Sequence, residues 1–81
     1  MHAYENADAR LRSMLSVLAG RLAPNDARMV EELIDHNECG VALENLCTQL
    51  YEFGARLSAA ELSEIGAIAR VLNVDVSYLS A

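Results

Sequence analysis

Asp35, His36, Glu38 and Cys39 place two carboxylates, an imidazole and a thiol in one short stretch, the densest group of reactive side chains in the sequence. As metal ligands they mix hard and soft donors, and no second group stands at a recognised zinc spacing, so no metal or cofactor is expected. A nucleophile pair would need Cys39 or Cys47 beside His36. Cys47, however, shares the spacing of an apolar helical stripe and reads as a small buried hydrophobe. His36 reads as a helix-end side chain whose imidazolium complements the negative C-terminus of the helix dipole. Eight positions separate Cys39 from Cys47, roughly 12 Å along one helix, so free thiols are expected. The chain has no Lys, which removes Schiff-base chemistry and the P-loop lysine. Asp75-Val76-Ser77 resembles a carrier-protein attachment site but lies too near the C-terminal end for that fold. Together these readings predict a protein that is not an enzyme.

The elements that carry these residues read as helices. Leu11, Met14, Leu15, Leu18 and Leu22 recur at helical spacing, which predicts a first helix from about Tyr4 or Asn6 toward Gly20. Pro24 suits the first position of a second helix, with Asp26 in its first turn. Met29 or Val30, Leu33 and Ile34 form its inner face, and Asn37 tolerates the left-handed conformation of a helix end. After a connection over residues 36–40, Leu43, Leu46, Cys47, Leu50 and Tyr51 form the inner stripe of a third helix, which Gly54 closes. Ser58 and Glu61 match a capping box opening a fourth helix that buries Leu62, Ile65, Ile68, Ala69 and Leu72. Gly66, Ala67 and Ala69 suggest close helix approach, but simple packing is the weightier reading of them. Asp75 caps a last turn holding Val76, Tyr78 and Leu79. No strand-length alternation occurs. The fold class is therefore all-α, a single domain over residues 1–81 built as a compact bundle of four helices with a short fifth C-terminal helical turn. A faint similarity at an offset of 35 relates residues 21–33 to residues 56–68. Two similar helix starts explain it, and a solenoid needs more copies.

Six Arg face twelve acids in 81 residues, for a formal net charge of -6. Direct nucleic-acid binding is disfavoured because phosphates would be repelled, and the third helix has no Arg or Lys to serve as a recognition helix. The start of the chain lacks the basic and apolar regions of a secretory signal, and nowhere do roughly 18 apolar residues run together. A soluble cytoplasmic protein without membrane contact is expected.

The negative charge is concentrated along the chain. Residues 1–28 hold four Arg and three acids, and residues 56–81 hold two Arg and three acids. Residues 29–55 hold Glu31, Glu32, Asp35, Glu38, Glu44 and Glu52 and no basic residue. Glu31, Asp35 and Glu38 lie opposite the apolar stripe of helix two, and Glu44, Thr48 and Glu52 line the outer face of helix three. Like charges four residues apart cost a helix about 0.2–0.5 kcal/mol per pair. Two readings of this face stand: a solvated face that keeps the protein soluble, or a surface that docks a basic protein. On the second reading the contact residues are Glu31, Glu32, Asp35, His36, Glu38, Glu44, Thr48, Glu52 and Phe53. Phe53, beside Gly54, serves as an exposed aromatic anchor, and Tyr51 falls to the core. Reversal of Asp35 and Glu38 together would then slow association at low salt.

The segment from Glu32 to Leu50, ELIDHNECGVALENLCTQL, resembles the core signature of the MafI family of bacterial immunity proteins. The shared pattern runs from the ELIDH segment, an acidic residue and a Gly to the Ala-Leu-Glu and Leu-Cys-x-Gln-Leu runs. Asp26 before it, and Leu57-Ser58 with Glu61 after it, extend the resemblance over roughly residues 21–75. Asn37 stands where Gly is common in that family, and Cys39 where an aromatic is expected. The resemblance implies a small helical cytoplasmic protein that neutralises a cognate toxin. The toxin would be the nuclease-like C-terminal domain of a polymorphic or contact-dependent growth-inhibition system, bound one to one. The competing expectation is an acidic helical adaptor or regulatory subunit for a basic protein, unrelated to toxins.

Overall fold

Helix boundaries follow the local chemistry of the chain. The computed structural model describes residues 3–80. Helix α1 spans Ala3–Leu18 and continues into a 3-10 turn at Ala19–Arg21, so Gly20 loosens the helix into a tighter turn. Helix α2 spans Pro24–Asp35, with Pro24 in the first turn, where its missing N–H has no intrahelical partner to lose. It ends through His36, and Asn37 adopts φ 62°, the left-handed region that Asn accepts at modest cost. Helix α3 spans Cys39–Glu52, so the connection is shorter than residues 36–40. Gly54 follows it at φ 61°.

Helix α4 spans Ala59–Leu72 and opens with a complete capping box. The Glu61 backbone N–H donates to Ser58 Oγ at 3.0 Å, and the Ser58 N–H donates to Glu61 Oε1 at 2.9 Å. Asn73, at φ 59°, closes α4 in the left-handed region. The Asp75 carboxylate then accepts from the Ser77 N–H at 2.9 Å and starts a 3-10 turn over Ser77–Ser80. The result is all-α: four helices and a C-terminal 3-10 turn, with no strand among the described residues.

One apolar interior joins the four helices. Leu11 and Leu18 from α1, Val30 from α2, Leu43, Leu46 and Leu50 from α3, and Ile65 and Ile68 from α4 are all fully buried. The C-terminal segment adds Val74, Val76, Tyr78 and Leu79 against this core. Leu62 and Leu72 are only partly buried.

The offset of 35 extends far beyond residues 21–33. Moved along by 35, α1 coincides with α3 and α2 with α4, to within two residues at each end. Ala7, Leu11, Leu15, Val30 and Ile34 correspond to Ala42, Leu46, Leu50, Ile65 and Ala69, and all ten are buried. The principal packing partners are α2 with α3 and α1 with α4. Exchanging the two halves carries one of these pairings onto the other, so the halves close on each other instead of stacking as an open solenoid.

Gly66 does not mark a close helix approach. A Cβ built there meets nothing within 4 Å. Gly66 therefore lies under free space, whereas Ala69 is buried in the core. Gly66→Ala is expected to raise stability by about 0.5–1 kcal/mol, because Ala has less backbone entropy to lose in a helix interior. Chemical denaturation measures it, and a loss of stability would show that the turn needs the glycine.

Two ion pairs lock the halves together. Arg10 forks onto Glu64, with Nε to Oε2 at 2.8 Å and Nη2 to Oε1 at 2.7 Å. Arg21 forks onto Glu61 at 2.7 and 3.0 Å and also donates to the Arg56 carbonyl. The Arg21 guanidinium, helped by the Ser58 N–H, lowers the Glu61 carboxyl from 4.5 to about 2. Glu64 is lowered in the same direction by Arg10. Because the folded state favours the ionised forms, their stabilisation is complete above about pH 4.5 and is lost as pH falls toward about 2. Thermal melts should hold a plateau above that window and decline through it. Glu61→Gln should reduce the decline, and an unchanged acid limb would show that these pairs do not govern acid unfolding.

The candidate protein-docking face

The α2–α3 hairpin brings the anionic segment into one antiparallel helix pair. Asn45 Nδ2 lies 3.8 Å from Met29 Sδ and fixes which residues face each other across the seam. Glu32 and His36 follow Met29 toward the turn on α2. Val41, Glu44, Thr48 and Glu52 run along α3 at helical spacing. Glu31, Glu32, Asp35, His36, Glu38, Glu44, Thr48, Glu52 and Phe53 are all exposed.

The carboxylates divide into two groups. Asp35 accepts from Arg12 Nη1 at 2.8 Å, and Arg12 also pairs with Asp8 at 3.2 Å, so Asp35 turns toward α1. Glu31 shares a cleft of about 340 Å³ with Arg12, Arg28 and Ser16 and faces the same way. Among the described residues, Glu31, Glu32, Glu38, Glu44 and Glu52 belong to no ion pair. Apart from Glu31, the free anionic charge lies on the outer side of the hairpin and around its turn. His36 donates from Nδ1 toward the Glu32 carbonyl, N···O 2.8 Å, beside its own backbone N–H, which donates to the same carbonyl at 3.0 Å.

Apolar groups lie among these carboxylates. Met29 is 51% exposed and Val41 45%, and Phe53 at the far end of α3 is 57% exposed. Of the two candidates for the inner face of α2, Val30 takes it and Met29 points outward. Tyr51, expected in the core, is 61% exposed. Each residue advances about 100° around a helix, so position 51 has rotated to the edge of the stripe that Leu43, Leu46 and Leu50 define. Its ring meets Tyr78 edge-on at 5.4 Å between centroids. Burial pushes the Tyr78 phenol up, opposed by a hydrogen bond with Thr48. The hairpin face thus gains an apolar seam at Met29 and Val41 that sequence periodicity left unassigned. The available signal was Val41 itself, an aliphatic residue off the inner stripe.

The thiols are held away from solvent. Burial pushes Cys47 up to about 12 and also raises Cys39, whose Sγ lies 3.9 Å from Asp8 Oδ1. Neither carries a reactive thiolate at neutral pH. Among the described residues, no group of three His, Cys, Asp or Glu side chains is placed to hold a metal ion. Nor is any helix there long and apolar enough to cross a membrane.

The fold and this surface define a small all-α domain that presents one acidic helix-hairpin face with apolar side chains set into it. No family model matches the chain, and neither a curated protein nor a solved structure does.

Proposed function

We propose that this chain is a non-enzymatic immunity protein that captures a cationic toxin domain on the outer face of its α2–α3 hairpin. The observation that carries this reading is the set of Glu32, Glu38, Glu44 and Glu52, exposed on one hairpin and without an intramolecular cation among the described residues. Three of the six Arg, namely Arg10, Arg12 and Arg21, are paired with acids on other elements. The resemblance of residues 32–50 to MafI-family immunity proteins supplies the biological setting. A nuclease must present a basic cleft to its substrate. An anionic hairpin covering that cleft, or the surface next to it, imitates the substrate's charge and occludes it. Cytoplasmic action and a one-to-one complex follow from that setting, and no cofactor enters.

Nanomolar capture needs about 12 kcal/mol, more than rim charges supply, so apolar anchors must contribute. Phe53→Ala is expected to weaken binding about tenfold while leaving the melting temperature almost unchanged, because the ring stands in solvent. Calorimetry and a thermal melt check the two halves of this expectation, and a collapse of the melt would make Phe53 structural.

Co-expression with the toxin domain encoded beside this chain, read as growth, tests the function. Rescue by the wild type together with a stable purified complex is the expected result. Absence of rescue and of complex overturns it, and a complex with a basic protein that brings no rescue points instead to an acidic adaptor.

A further inference from the structure

The correspondence at the offset of 35 supplies a comparison surface for the α2–α3 face, because the α1–α4 pair occupies the matching positions with different side chains. Residues 29 and 45, which meet across the α2–α3 seam, correspond at the offset of 35 to Glu64 and Arg10. On the α1–α4 face that position holds the forked ion pair at 2.7 and 2.8 Å. On the α2–α3 face it holds the Met29 thioether and the Asn45 amide at 3.8 Å, a weak contact to sulfur. The surrounding positions differ in the same sense. Glu32, Glu44 and Glu52 correspond to Ala67, Ala9 and Val17, and Thr48 corresponds to Ser13. One face is thus stitched shut at its centre and neutral at its rim. The other has an apolar, deformable centre and an unpaired anionic rim.

Both faces cover corresponding helix pairs over a common core, and the side chains at their rims are exposed or half-buried. The α1–α4 face shows that this frame accepts a neutral rim and a closing ion pair. The α2–α3 face carries an acid at each of these rim positions instead. An exposed Met beside an aliphatic residue adapts its shape to an incoming apolar side chain, and a surrounding anionic ring selects the partner's charge.

We infer that Met29 and Val41, bridged by Asn45, form the seat for an apolar side chain presented by a cationic protein surface, and that Glu32, Glu44 and Glu52 grip the flanking basic residues. The inference rests on the reading of this hairpin as the partner-binding flank. It assigns affinity to the seam and association rate to the rim.

The test transfers each face's chemistry to the other. Met29→Glu with Asn45→Arg installs on α2–α3 the ion pair of α1–α4. Ala9→Glu, Val17→Glu and Ala67→Glu install the anionic rim on α1–α4 without the apolar seam. The probe is an amphipathic helical peptide with Leu on one face and Arg on the other, titrated into the full chain and followed by backbone amide chemical shifts.

With the wild type, shifts should centre on Met29, Glu32, Val41, Asn45 and Thr48. The first variant should weaken docking about tenfold with its fold retained, and the second should create no comparable site on α1–α4. Met29→Ala alone, expected to weaken docking several-fold, replaces the first variant if circular dichroism shows the double substitution unfolded. Unchanged docking in the seam variant, or an equal site created by the three glutamates alone, overturns the inference. The growth assay separates this from the reading beneath it. Peptide docking at the seam without toxin neutralisation removes immunity and keeps the seat. Neutralisation that survives the seam substitutions removes the seat and keeps immunity.

Discussion

Reversal of Glu32, Glu44 and Glu52 to Arg is expected to slow capture of the cationic toxin domain by about ten- to a thousandfold at low ionic strength, the range over which steering acts. All three carboxylates are exposed and belong to no ion pair among the described residues. The substitutions therefore change the field without breaking an ion pair, and the melting temperature should fall only slightly, because Arg at 32 stands four residues after Arg28. The difference in rate should shrink with added salt, since the Debye length falls from about 10 Å at 0.1 M to about 3 Å at 1 M. Stopped-flow association at several salt concentrations measures it, and rates that do not depend on these residues would remove the steering role. Asp35 behaves differently. Its pairing with Arg12 at 2.8 Å means that Asp35→Arg sets two guanidinium groups against each other between α1 and α2. A combined reversal of Asp35 and Glu38 would mix a stability effect with a rate effect, so the rim acids give the cleaner measurement.

Leu46→Ala should have the largest effect on stability, about 2–5 kcal/mol. Leu46 is fully buried in the middle of α3, and truncation both loses transfer energy and leaves a cavity among neighbours that relax only in part. A domain of this length has a total stability of roughly 4–12 kcal/mol, so the variant approaches the unfolding threshold. Leu11 occupies the equivalent position of the other half and is equally buried. Leu11→Ala should therefore cost the same to within about 2 kcal/mol, the usual scatter between sites of like chemistry. Urea denaturation of both variants decides the matter. A large disparity would show that the halves do not share the core evenly, despite their matched helices.

The helices themselves were written in local signals. Pro24 opens α2, the Ser58–Glu61 box opens α4, and Asn37 and Gly54 stand at left-handed ends. Each acts within a few residues through hydrogen bonds or backbone sterics, so sequence alone carries it. The apolar stripes of α1 and α3 predicted Leu11, Leu15, Leu43, Leu46 and Leu50 as interior for the same reason. Where periodicity gave two answers, tertiary packing chose. Val30 went inward and Met29 outward, and Tyr51 left the stripe for an edge contact with Tyr78. Gly66 offered no local clue that its surroundings are open.

For the docking face, sequence by itself determined that residues 29–55 carry six acids and no base. It also determined, through helical spacing, that Glu44, Thr48 and Glu52 share a side. Which of those charges remain available was decided only in three dimensions. Arg12 reaches Asp35 across 23 positions of chain, and Arg10 reaches Glu64 across 54. Such pairings depend on how whole helices cross, not on neighbours in sequence. The same holds for the apolar seam, because Met29 and Asn45 meet only when α2 folds back on α3. Composition thus fixed the sign and amount of charge, whereas the fold sorted it into paired and free groups and gave the free group an apolar centre.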